Sequence, residues 1–133
     1  MRMKKFIALL LLCVIALSGC GSNSSVKLKD LDFTVVSEDR LSEELRTVIE
    51  ERKASPFKVT YNDKEYLYIC IGYGEQKTGG YSITVGELYL TEDAIHVSTD
   101  LLGPGPEDKT GNAPSYPYIV IKTQFMDKQV VFD

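Results

Sequence analysis

Few residues in this chain could move a proton or attack a substrate. His96 is the only histidine among 133 residues, and on an alternating strand it would share a face with Ser98 and Asp100. A catalytic triad needs its base held between a nucleophile and an orienting acid, whereas same-face neighbours on a strand stand about 7 Å apart. The set therefore reads as the polar outer face of a strand. Cys70 lies inside the apolar run from Tyr66 to Ile71 and reads as a small core residue rather than a nucleophile. Metal binding would have to rest on carboxylates alone, and Glu107-Asp108 offers too few, with no Asp-rich calcium loop elsewhere. Glu43, Glu44, Glu50 and Glu51 fall on the solvated face of a helix. We therefore expect no enzyme activity, no metal and no cofactor.

The stretch from Gly72 to Ile83 (GYGEQKTGGYSI) is the densest in turn formers. As a phosphate cradle it fails, because it lacks a Gly-Lys-Ser/Thr at the required spacing and no helix follows to receive an anion. What remains is recognition by surface. Lys77, Thr78, Gly79, Gly80 and Tyr81, bordered by Tyr73, form one candidate partner-binding set, and Tyr116, Pro117 and Tyr118 form another. Exposed tyrosine on rigid backbone makes protein contacts. Simple hairpin closure would account for the same glycines, and strand propensity for the same tyrosines.

The elements that must position these residues are mostly strands. Glu65 to Tyr73 and Tyr81 to Leu90 flank the glycine-rich turn and predict a β-hairpin, with φ > 0 at one or more of Gly74, Gly79 and Gly80. In the second of these strands Tyr81, Ile83 and Val85 share one parity while Leu88 and Leu90 share the other, which predicts a β-bulge at Gly86-Glu87. Phe57 to Tyr61 alternates, Asn62-Asp63 turns, and Thr91 to Asp93 turns again before Ile95, Val97 and Thr99. Phe33 to Val36 is a short first strand. Tyr118 to Ile121 and Gln129 to Phe132 are expected to make the last pair. Leu102 to Tyr116 is a long irregular loop, unusual enough in a small domain to point to function. One helix is expected from Ser37 to Lys53, with Leu41, Leu45, Val48, Ile49 and Arg52 on one face, capped by Ser37 or Asp39 and stopped by Pro56. The fold class is α+β: a mainly antiparallel curved sheet, or two layers of β, with one packed helix and about seven strands.

The N-terminus is of another kind. Arg2, Lys4 and Lys5 precede an unbroken apolar run from Phe6 to Leu17 and the small pair Ser18-Gly19, the layout of an export signal. The run is shorter than the roughly 20 residues that span a bilayer. Leu17-Ser18-Gly19-Cys20 resembles the lipobox of bacterial lipoproteins, which implies cleavage before Cys20 and acylation of its thiol, with an ordinary secretory signal as the alternative. Two or three acyl chains hold a protein stably on a membrane where one would not. Residues 1–19 would then be a lipoprotein signal peptide, 20–30 the lipidated cysteine and a flexible tether containing Gly21 to Ser25, and 31–133 a single domain. Residues 1–19 contain three of the fifteen basic residues and none of the nineteen acidic ones, leaving twelve against nineteen, a net charge of −7. So acidic a module has little reason to bind nucleic acid.

Gly74 to Ile83, the bulged strand, the proline-containing loop and Pro117-Tyr118-Ile119-Val120 together resemble the C-terminal domain of the PrcB family over about residues 55–133. Lys77-Thr78-Gly79-Gly80-Tyr81 is the most specific part. Members are described as protease complex subunits, and no catalytic residues are attributed to the domain. The resemblance implies a membrane-anchored accessory or binding subunit of an exported protein complex, with an exported protease as one partner. Two other functions fit the same residues: a protease inhibitor that inserts a loop, and a module that binds cell-wall glycan through tyrosines.

Overall fold

The computed structural model describes residues 26–133; the expected signal peptide, Cys20 and the expected tether through Ser25 lie outside the described residues. Eight strands, a 3-10 turn (Glu38–Arg40) and one α-helix follow one another in the order β1 (Lys29–Asp30), β2 (Thr34–Val35), the 3-10 turn, α1 (Glu43–Arg52), β3 (Pro56–Asn62), β4 (Tyr66–Tyr73), β5 (Ser82–Leu90), β6 (Ala94–Leu102), β7 (Tyr118–Gln124) and β8 (Gln129–Phe132). They build two four-stranded sheets, ordered β1-β5-β6-β8 and β2-β7-β4-β3. The expectation of two β layers and one packed helix holds in outline, with one strand more than expected.

β4 shows why the layers stack as they do. Its residues alternate between two cores: Leu67, Ile69 and Ile71 point between the sheets, toward Leu88, Ile95, Val97, Ile119 and Ile121. Cys70 points the other way, with Phe57 and Val120, under Leu41 and the helix residues Leu45 and Ile49. A strand buried on both faces reads as a continuous apolar run because neither parity can be polar. The helix therefore covers one sheet, and that sheet covers the other.

Two turns follow their local chemistry. Between β3 and β4, the Asp63 carboxylate accepts hydrogen bonds from the backbone N–H groups of Glu65 (3.0 Å) and Tyr66 (2.7 Å), and Lys64 takes a left-handed φ of 71°. These donors hold the Asp63 carboxyl below its ordinary range. Between β5 and β6, buried Thr91 accepts from the N–H of Ala94 and donates to its carbonyl. The bulge falls where the parity flip placed it, between Val85 and Glu87. It lets Ile83 and Val85 pack on the same core as Leu88 and Leu90.

The helix begins later than its pattern indicated. Residues 38–40 form a 3-10 turn, and α1 starts at Glu43 with Ser42, neither Ser37 nor Asp39, accepting from the N–H of Leu45 at 3.2 Å. Ser37 donates its hydroxyl to Asp39 instead, at 2.7 Å, and both precede the helix start at Glu43.

Three pairings differ from expectation. β4 and β5 are not a hairpin: β4 pairs with β3 and β7, and β5 with β1 and β6, so residues 74–81 cross from one sheet to the other. β7 and β8 are not a pair either, because β8 crosses back to lie parallel to β6. Both corrections have one cause. In each, the next strand buries its apolar side chains by joining the facing sheet; connection 74–81 is also longer than a hairpin loop, whereas 125–128 is not. Finally, Lys29–Asp30, expected within the tether, pairs with Leu90 and Tyr89.

Candidate functional site, a pair of interlocked crossover loops

The register of the two sheets brings the candidate loops together. Gly72 of β4 lies opposite Tyr118 of β7, and Ser82 of β5 opposite Leu102 of β6. The connections 74–81 and 103–117 therefore leave and enter neighbouring strands at the same end of the sandwich. They must run side by side.

Backbone and side chains then lock them. Gln76 and Ser115 exchange both backbone hydrogen bonds, at 2.8 and 3.0 Å, and the Ser115 hydroxyl donates to the carbonyl of Thr78 at 2.6 Å. Gln76 also donates its side-chain amide to the carbonyl of Tyr73 at 3.3 Å. Gly80 has φ +87°, and a Cβ there would stand 2.9 Å from Thr110 Cγ2 and 3.0 Å from Pro104 Cβ. Only glycine permits both the conformation and the close approach. Positive φ occurs at Gly74 and Gly80 but not at Gly79. The ring of Tyr81 lies against Gly103, within 3.4 Å of where a Cβ would be.

The eight candidate residues are thus presented unequally. Lys77 is exposed and, among the described residues, forms no ion pair. Thr78, Gly79 and Tyr81 are half-buried and Gly80 is exposed along the seam. Tyr116 donates its hydroxyl to Glu75 at 3.0 Å, with the Lys53 ammonium 5.4 Å from its ring centroid. The hydrogen bond to Glu75 raises the Tyr116 pKa, since ionising the phenol would set two negative charges together. The carbonyl of Pro117 accepts from the N–H of Tyr73 at 3.1 Å, so its backbone continues the ladder. Tyr118 packs with the helix-side core. Lys77, Tyr81 and Tyr116 are left as the side chains with reach.

Residues 67–124 match the PrcB C-terminal family. That segment is similar to the PrcB C-terminal domain. It begins one residue into β4 and ends with β7, and is narrower than the span 55–133 expected from sequence. The matched segment contains both crossover loops and strands β4 to β7 around them, while β1, β2, α1, β3 and β8 lie outside it. No curated protein and no solved structure matches the chain.

His96 has partners that its sequence neighbours did not indicate. Its ring stacks on Tyr89, with centroids 4.9 Å apart and planes at 6°, and its Nδ1 lies 3.1 Å from Asp133. Ser98 instead accepts from the N–H of Glu87 at the bulge, at 3.0 Å. Among the described residues no group of three or more His, Cys, Asp or Glu side chains could hold a metal ion.

Proposed function

We propose that this chain is a non-enzymatic accessory subunit, lipid-anchored through Cys20 on the outer side of a bacterial membrane, that docks an exported protease through its interlocked loops. The observation that carries the reading is the PrcB C-terminal match, whose segment includes both loops. The family is named for subunits of protease complexes, and a loop pair tied together by Gln76, Thr78 and Ser115 can meet a partner without first losing conformational freedom. Lys77 and Tyr81 are the contact residues, Tyr116 flanking them. The lipobox supports the anchor, and the net charge of −7 on the remaining chain favours a domain that stands off an anionic lipid surface.

Two measurements test this. Fractionation of cells producing the chain should find it with membranes, and Cys20→Ser should move it to the soluble exported fraction. A variant still quantitatively on membranes would remove the lipid anchor. Affinity capture of the tagged full chain from detergent-solubilised membranes should retain a protease. Lys77→Ala/Tyr81→Ala should lower its recovery by about tenfold or more, the effect of losing roughly 1.4 kcal/mol of contact energy. Undiminished recovery with the fold intact would place the contact elsewhere.

A further inference from the structure

On the face of the β2-β7-β4-β3 sheet that α1 covers, beside the helix, lies a row the proposed docking role does not use. Tyr61 of β3 lies opposite Tyr68 of β4, Tyr68 opposite Lys122 of β7, and Lys122 opposite Thr34 of β2. Four strands thus contribute one residue each to a line about 15 Å long, given the ordinary strand spacing. The Tyr61 and Tyr68 rings have centroids 6.1 Å apart and planes tilted by 44°. Lys122 Nζ stands 4.0 Å from the ring centroid of Tyr66.

The chain entering α1 overhangs this row and makes it a trough. Adjoining hollows of about 270, 640 and 190 Å³ run along it; the first two share Thr34 and Lys122, and the second and third share Tyr68 and Arg40. Among the described residues neither Lys122 nor Arg40 forms an ion pair. Asp32 and Asp63 stand at opposite ends, and the Glu44 carboxylate lies against Tyr61 at the β3 end. The centre is therefore cationic, on a chain that is acidic as a whole.

We propose that this row binds an acidic oligosaccharide. Lys122 and Arg40 attract a negative charge at the middle of the trough, and tyrosines supply flat apolar rings tipped with hydroxyls, matching a sugar's C–H face and its hydroxyl rim. The floor is a sheet face, where backbone N–H and C=O groups are spent on neighbouring strands. An extended peptide laid across it would find no backbone partners, whereas a saccharide needs none. The PrcB loops leave the opposite end of β4 from the row's β3–β4 turn, so the trough and the docking loops can be occupied together.

Binding is read by calorimetry, because the chain has no tryptophan and its eight tyrosines include five outside the trough. The detergent-solubilised full chain is titrated with uronate, sulfated and phosphate-bearing oligosaccharides, with a neutral oligosaccharide and poly-glutamate as controls. At least one acidic saccharide should bind, more weakly as salt rises. Arg40→Gln/Lys122→Gln should weaken it about tenfold or more, Tyr68→Leu, which keeps apolar packing, should weaken it as well, and Lys77→Ala should leave it unchanged. Amide spectra confirm that each variant is folded. Absence of binding by every acidic saccharide, binding that survives the double substitution, or equally tight binding of poly-glutamate would each overturn the proposal, the last by showing an anion patch without sugar recognition.

Discussion

Gly72→Ala is expected to destabilise the domain by about 3 kcal/mol, at the upper end of the cost of overpacking a filled core. Gly72 lies opposite Phe57 on the neighbouring strand, and a Cβ at Gly72 would fall 2.1 Å from Phe57 Cε1 and 2.5 Å from Cδ1. The ring occupies the place where a side chain would be. It cannot simply swing aside, because it is buried with Leu41, Leu45, Ile49, Cys70 and Val120 beneath the helix. Moving it lifts α1 from the sheet or bends β4 just before the strand enters the loop 74–81. Urea unfolding should show a lower midpoint, and Gly72→Ala/Phe57→Leu should recover part of the loss, the coupling expected of groups in contact. An unchanged midpoint for Gly72→Ala would mean that the ring is not held there.

Cys70 carries the second large effect. Its side chain is fully buried and burial pushes its pKa from 9.0 to about 12, because a thiolate would lose its hydration with no cation to replace it. At pH 8 the thiolate fraction, and with it alkylation, should be roughly a thousandfold lower in the folded chain than in the unfolded one. Mass spectrometry of the Cys70 peptide after iodoacetamide, with and without urea, measures the ratio. Comparable rates would show that the strand opens readily. The same shift sets a pH dependence. Between about 9 and about 12 the folded state keeps a proton that the unfolded state has lost, so this contribution to stability is complete below pH 9 and falls as pH rises, by about 1.4 kcal/mol per unit. Buried-side tyrosines such as Tyr118, also shifted upward chiefly by burial, act in the same sense. The difference between the wild-type and Cys70→Ala curves isolates the thiol.

Both effects rest on β4, whose burial on two faces was legible from its composition. The bulge was legible too, since the parity change between Val85 and Leu88 has no other simple account. The β3–β4 and β5–β6 turns were legible because Asp63 and Thr91 close them with their own side chains. The link from β4 to β5 was misread as a hairpin because glycine-rich turns and sheet crossings use the same residues. Its length was the available signal: residues 74–81 exceed the two to five residues usual for hairpin loops. β1 left no trace, two residues being too few for a period.

For the site, residue types alone singled out Lys77 to Tyr81 and Tyr116 to Tyr118, and the PrcB match covers both stretches. Their union across the sandwich depended on β4 and β7 pairing and on β5 and β6 pairing. Tyr61, Tyr68, Lys122 and Thr34 went unnoticed for a related reason. Each is an ordinary strand residue, and they become a row only through three registers.

Local chemistry, then, was determined by sequence alone: which segments are strands, where one bends, which end of the helix is stopped, and that the chain is poor in catalytic groups. These follow from interactions within a few residues, such as side-chain alternation, turn hydrogen bonds and proline geometry. Tertiary structure decided which sheet each strand joined and which distant side chains came to share a surface. That choice depends on burying apolar faces contributed by segments up to about ninety residues apart, as when Thr34 meets Lys122, and no local pattern encodes it.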